Sequence, residues 1–342
     1  LLYRTRALRL LELMRRNGKD WSLYVFSSAN TLKLYSMEEL VGLGVSWLWM
    51  GLEGRESAYV KLRGADTRSL VDALQAHGIR VLGSTIIGLP EHTPQNADAA
   101  IAHAVEHDTE FHQFMLYTPV PGTPLYAQHQ AQGTLLDSGQ CPEADTHGQL
   151  RFNFRHPNIP AGQETDLLLR AFRTDFERNG PSVIRITRTL LRGWRRHKDD
   201  PDPRVRRRYR RECRHLATAH AGALWAARRW LAGSAAPAAR LRALQHEIGR
   251  EFGLKARLLA PLIGRFLLAA MRREQRRLAS GHMDEPPTFY ETNRPRPERP
   301  PAGGPVPCRW VAARAAGPTS GASAVEGITF PATAAAPLRR SC

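Results

Sequence analysis

The chain has 342 residues, 42% of them hydrophobic and 24% charged, with only four cysteines. That composition excludes a wholly disordered, collagen-like or disulfide-stapled chain and leaves room for a sizeable core. The net charge of +17 is unevenly spread: residues 1–150 carry 12 Lys and Arg against 16 Asp and Glu, residues 151–342 carry 37 against 16. From Val81 to Leu150 there is no Lys or Arg, yet there are six histidines. No apolar stretch reaches the roughly 18 residues of a membrane span. The isolated cysteines, with no zinc or cluster spacing among them, point to free thiols in a reducing cytoplasm.

In chain order, residues 1–16 read as a basic amphipathic helix with Tyr3, Ala7, Leu10, Leu11 and Met14 on one face, stopped by Asn17-Gly18. Trp21–Phe26 is strand-like and ends in the polar cluster Ser27, Ser28 and Asn30. Ser36-Met37-Glu38-Glu39 is a capping box for a short helix that Gly44 closes. Val45–Met50 is a second strand, followed by Gly51-Leu52-Glu53-Gly54. Asp66 caps a helix that runs to Gly78, and Ile79–Ile87 is a third strand ending in Gly88-Leu89-Pro90-Glu91. Thr93-Pro94 opens a helix to about Asp108. Phe111–Tyr117 is a fourth strand, leading into a proline-rich loop through Pro119, Pro121 and Pro124. Strands and helices alternating at a spacing of about 30 residues predict right-handed βαβ units and a parallel sheet, with a ligand at the C-terminal ends of the strands.

Several of those strand ends could carry chemistry. Glu53 places a carboxylate where it can accept from a ligand hydroxyl or amine, or fix its own loop. Gly88 lets backbone approach something flat without an intervening Cβ, or makes a tight turn. Taken together and in order, Gly51-Leu52-Glu53-Gly54, the run Ser84–Glu91, the segment Tyr59–Asp66 and Thr118–Tyr126 resemble the later strands of radical S-adenosylmethionine (SAM) enzymes. The likeness is to the class with an N-terminal cobalamin-binding domain. It extends through Arg151–Ile159 and Phe172–Ile186, covering roughly residues 1–285.

The resemblance implies an α/β fold, the last four strands of a partial (β/α)6 TIM-like barrel over residues 1–150, followed by an all-helical C-terminal region. It implies SAM held by a [4Fe–4S] cluster, reductive cleavage to a 5′-deoxyadenosyl radical or methyl relay through cobalamin, and methyl transfer or carbon-skeleton rearrangement on an organic substrate. By position, Ser28 and Asn30 would lie near the methionine part of SAM or the substrate, and Glu53 near its ribose or amino end. Ile86 and Gly88 would line the adenine, while Tyr117 and Pro119 would wall the cavity. Ser84 stands where the family often has glycine. The family's CxxxCxxC motif is absent and none of the four cysteines is placed to replace it. The expectation is therefore the C-terminal portion of such an enzyme, inactive by itself, with the cluster and cobalamin supplied by an N-terminal part.

Two features outside the resemblance compete with it. His103-Ala104-Val105-Glu106-His107 matches the H-x-x-E-H zinc-peptidase pattern, but on a short crossover helix the expected reading is a solvated face. Residues 151–285 are strongly basic, and Arg204, Arg206, Arg207, Arg208, Arg210, Arg211 and Arg214 follow Pro203 on every face of one helix. These arginines read first as a solvated helix; the alternative is a non-enzymatic protein that holds nucleic acid phosphates, or docks on an anionic surface. Residues 286–342, rich in Pro, Ala and Arg, read as a disordered tail without a site.

Overall fold

The computed structural model describes residues 1–52, 66–141, 146–233 and 235–282. Leu1–Leu268 form one compact unit and Ala269–Cys342 a second, of which the end of a long helix is described. The first unit opens with α1 (Arg4–Arg16), β1 (Leu23–Phe26), α2 (Ala29–Leu32), α3 (Met37–Leu43) and β2 (Val45–Gly51). It continues through α4 (Thr67–Ala76), β3 (Arg80–Ile87), α5 (Ala97–Val105), β4 (Phe111–Leu116) and α6 (Pro124–Ala131). Helices α7 (Gln163–Asn179), α8 (Ser182–His197), α9 (Pro203–Glu212) and α10 (Ala221–Trp230) follow, with a π-helical turn at Leu216–His220. The span Ala235–Ala279, α11, is two helices joined at Gly253, whose backbone (φ 60°, ψ −141°) is not helical.

The four strands lie in the order β1-β2-β3-β4, all parallel. Local signals set their boundaries. Ser36 and Glu39 close the expected capping box on α3, and Gly44 takes the left-handed conformation (φ 87°) that turns the chain into β2. Asp66 accepts from Ser69 N at the start of α4. One boundary differs from expectation: α5 starts at Ala97, not at Thr93-Pro94. Thr93 Oγ1 accepts from Asn96 N (3.2 Å) while Asn96 Oδ1 accepts from Thr93 N (2.7 Å), so these residues close a turn of their own before the helix begins.

Helices cover one face of the sheet. Leu48, Met50, Val81, Ile87, Phe114 and Leu116 point into that core and alternate with residues on the other face. The helices beyond residue 150 share this core: Leu190, Leu191, Val205, Leu216 and Leu224 pack with Leu40, Leu48, Leu74 and Val81. Helix α8 meets α4 at a point with no room for side chains. A Cβ on Gly193 would lie 2.8 Å from Gly78 Cα and 2.7 Å from Tyr209 Cε1. Tyr209 is buried there and donates to His77 O (2.5 Å); burial pushes its phenol up to about 12.

The arginine-rich helix α9 is solvated on one side only: Arg207, Arg210 and Arg211 are exposed, while Arg204 and Arg208 are buried. Arg204, Arg207, Arg208 and Arg211 donate to the backbone oxygens of Lys19, Gly18, Val41 and Asp20, and Arg206 donates to Asp200 O. The first four tie the turn after α1 and the end of α3 to the helical half. The opposite end of α9 closes the N-terminal end of the sheet, where Glu212 pairs with buried Arg80 and accepts from Ser22 (2.7 Å) and Ser46 (2.9 Å).

Candidate active site

Because the strands are parallel, their C-terminal ends form one rim. Ser27 N donates to Trp49 O (3.0 Å), Leu52 N to Ser84 O (2.8 Å) and Tyr117 N to Ile87 O (2.9 Å), so the chain leaves each strand at about the same height. At a spacing of roughly 4.8 Å per strand, the ends of β1 and β4 are about 14 Å apart. Next to this rim, the face of the sheet away from the helices carries Tyr24, Phe26, Trp47, Trp49, Ile86, Phe111, Gln113 and Met115. Its aromatic side chains meet across strands: Phe26 with Trp49 at 4.7 Å and Trp47 stacked on Phe111 at 5.5 Å. Tyr24, Phe26 and Phe111 are exposed. Gln113 Oε1, buried on this face, has no hydrogen-bond partner among the described residues.

The residues singled out in the sequence fall into two groups on this rim. At the end of β1, Ser28 is the N-cap of α2, accepting from Thr31 N (3.3 Å), and Asn30 is exposed in its first turn. Glu53 lies outside the described residues. At the ends of β3 and β4, Ile86, Gly88, Tyr117 and Pro119 come together. Gly88 needs its missing Cβ (φ +71°), but the neighbour it admits is Phe152, whose ring would be 2.5 Å from a Cβ there. Tyr117 is buried, its Oη 3.3 Å from His129 Nε2, and Pro119 O accepts from Asn153 Nδ2 (2.7 Å).

The segment Phe152–Asn158 that wraps this end of the rim was not foreseen as part of it. Phe152 and Phe154 are both buried against Ile87, Leu116 and Tyr117. His156 Nε2 donates to Leu89 O (2.9 Å) while its Nδ1 accepts from Asn158 N and Ile159 N (3.0 Å each). Asn158 Nδ2 donates to Pro90 O (2.9 Å), and His92 Nδ1 accepts from Gly88 N (3.0 Å). Burial favours the neutral form of His92, His129 and His156, holding each below the ordinary imidazole value. The alternation Phe152-x-Phe154-x-His156 is the two-residue period of an extended segment, and it was the available signal.

The H-x-x-E-H segment is not the solvated face expected. His107 is buried, with Nε2 2.8 Å from Thr67 Oγ1 and Nδ1 2.9 Å from His103 O, and it fastens α5 to α4. Glu106 pairs with Arg68 and Arg178. Among the described residues no group of three or more His, Cys, Asp or Glu is arranged to hold a metal ion. Two of the four cysteines are described and both are buried. Cys213 Sγ donates to Leu190 O, and burial, aided by Glu212, pushes its thiol up to about 12. No described helix is long and apolar enough to cross a membrane.

No family model matches the chain. Over 140 residues it is 28% identical to a protein of Pyrococcus horikoshii described as an uncharacterized methyltransferase. That stretch is 40% of this chain and 30% of the relative, so the chain spans under a third of the length of the protein it matches.

Proposed function

We propose that this chain supplies the SAM-binding rim of a methyltransferase of the radical SAM, cobalamin-assisted kind, acting on an organic substrate. The observation that carries the reading is the four-stranded parallel sheet whose strand ends form one rim beside an aromatic face that no described helix covers. The relative described as an uncharacterized methyltransferase supports methyl transfer as the reaction class. Barrel closure, cluster and cobalamin are part of the proposal.

Among the described residues, the rim suits SAM and no set of thiolates suits the cluster. A nucleoside needs a flat apolar surface and a few polar groups; Trp49 and Phe26 offer the first, and the unpartnered Gln113 Oε1 is an acceptor awaiting a donor such as an amine or hydroxyl. Ser28 and Asn30 would meet the methionine end from the β1 side of the rim. A cluster needs thiolates, whereas Cys213 is held as a buried neutral thiol in a hydrogen bond to backbone. In this reading the cluster and cobalamin come from segments outside this sequence. Bound SAM would supply an electrophilic methyl group, and the chain's own residues would orient it.

SAM binding to the chain itself tests this. Titration followed by tryptophan fluorescence and by calorimetry should give saturable binding, weakened about tenfold by Gln113→Ala through loss of one hydrogen bond, and more strongly by Trp49→Leu. An absence of saturable binding, or binding indifferent to both substitutions, would place SAM elsewhere.

A further inference from the structure

We propose that the second segment of α11, Leu254–Leu268, docks this protein on an anionic phospholipid surface. Leu254, Leu258, Leu262 and Phe266 follow one another at four-residue steps and are 72%, 65%, 61% and 73% exposed. Four-residue steps form a single ridge along a helix. The other side of the segment is already packed: Ala256 and Leu268 are buried, and Ile263 and Gly264 sit against Gly222 and Trp225 of α10. The ridge is therefore surplus to the core, and its length and continuity exceed what scattered surface leucines account for.

The charge around the ridge selects its occupant. Lys255, Arg257 and Arg265 are exposed on the same segment, and between Glu251 and Glu274 the sequence has no Asp or Glu. Arg229 of α10 lies over the Trp225 ring at 3.2 Å, and Arg265 reaches the same ring at 5.9 Å. Trp225 thus gathers two cations on the flank of the ridge. An apolar ridge on a segment that carries cations and no acid matches acyl chains below anionic headgroups: the leucines and Phe266 enter the boundary while Lys and Arg remain at headgroup level. A second copy would bring the same cations face to face, which disfavours self-pairing. Neither the sheet rim nor SAM enters this proposal.

The test is co-sedimentation of the full chain with extruded vesicles of equal parts phosphatidylglycerol and phosphatidylcholine, against pure phosphatidylcholine. Partitioning should favour the anionic vesicles by about tenfold or more and fall with added salt. The triple variant L258S/L262S/F266S should lose about tenfold or more, and K255E/R257E/R265E should abolish the preference for anionic lipid. Both alter exposed side chains, so far-UV circular dichroism should remain that of the parent; if the serine variant fails to fold, the milder pair L258A/L262A serves in its place. Equal weak binding to both vesicle types by the folded chain overturns the proposal. So does unchanged binding by the apolar-ridge variants. A dimer in solution that the ridge substitutions dissociate, with no vesicle binding, would assign the ridge to a second copy instead.

Discussion

Asp175 shows how much of this protein's polar chemistry is internal. Its carboxylate takes a bidentate pair from Arg185 (2.7 and 2.9 Å) and a hydrogen bond from His112 Nδ1 (2.8 Å), all buried between β4, α7 and α8. Burial alone would raise its pKa, but the His112 and Arg185 hydrogen bonds outweigh it and hold the carboxyl well below the usual range. Asp175→Asn would leave Arg185 buried without its counter-charge, so urea unfolding at neutral pH should show a loss of about 3–5 kcal/mol. The sign of the pH effect follows from a depressed folded pKa. The stabilisation is complete above the unfolded carboxylate value, about 3.9, and is lost only as pH falls through the lower folded one. The difference between parent and variant should therefore hold between about pH 7 and pH 5; a variant as stable as its parent would mean that Arg185 finds another partner. None of this network was legible in the sequence. Asp175 and Arg185 lie ten residues apart on two helices, and only the turn at Gly180-Pro181 brings them together. The same is true of His107, which in the sequence belongs to a zinc-like pattern and in the fold fastens one helix to another.

At the scale of elements, far more could be read in advance. The four strands appear where apolar periodicity placed them, and α3 starts at the Ser36 capping box and ends at Gly44, because those signals are local; α5 starts four residues beyond Thr93. What the sequence could not reveal was how the helical half docks. Arginines on every face of α9 looked unsuited to packing, yet most of them reach backbone carbonyls of turns about 165 to 190 residues earlier. The crossing of α8 over α4 is equally nonlocal, since it depends on Gly193 meeting Gly78 and the Tyr209 ring. Gly193→Ala should therefore destabilise the protein by about 1–3 kcal/mol, although alanine is the better helix former by about 1 kcal/mol. Chemical denaturation would measure it. A neutral or stabilising result would show that α8 can shift away from α4 without loss, which the Gly78 backbone on one side and the Tyr209 ring on the other argue against.

For the molecule as a whole, titration is dominated by histidine. Burial depresses His92, His107, His129, His156, His197 and His220, so the folded chain keeps these imidazoles neutral below the pH at which the unfolded chain protonates them, about 6.5. A base with a depressed folded pKa stabilises fully above the unfolded value, and that stability is lost as pH falls below it, because the unfolded state then binds more protons. Glu110 acts the other way. Its fully buried carboxyl is raised, chiefly by desolvation, so its contribution improves on acidification, but it is one group against six. A chain with a formal charge of +17 also gains self-repulsion with each proton taken up. The expected outcome is a Tm lower by roughly 3 °C or more on going from about pH 7.5 to about pH 5.5. Three of these histidines, His92, His129 and His156, stand at the rim beside Gly88 and Tyr117. The rim should therefore open before the core: amide exchange at Gly88, whose N–H is donated to His92 Nδ1, should accelerate on acidification, relative to its intrinsic rate, before exchange at Leu48 or Val81 does. A flat or rising Tm through that window, or loss of protection at Gly88 and in the core together, would mean that the rim histidines take up protons without disturbing their contacts.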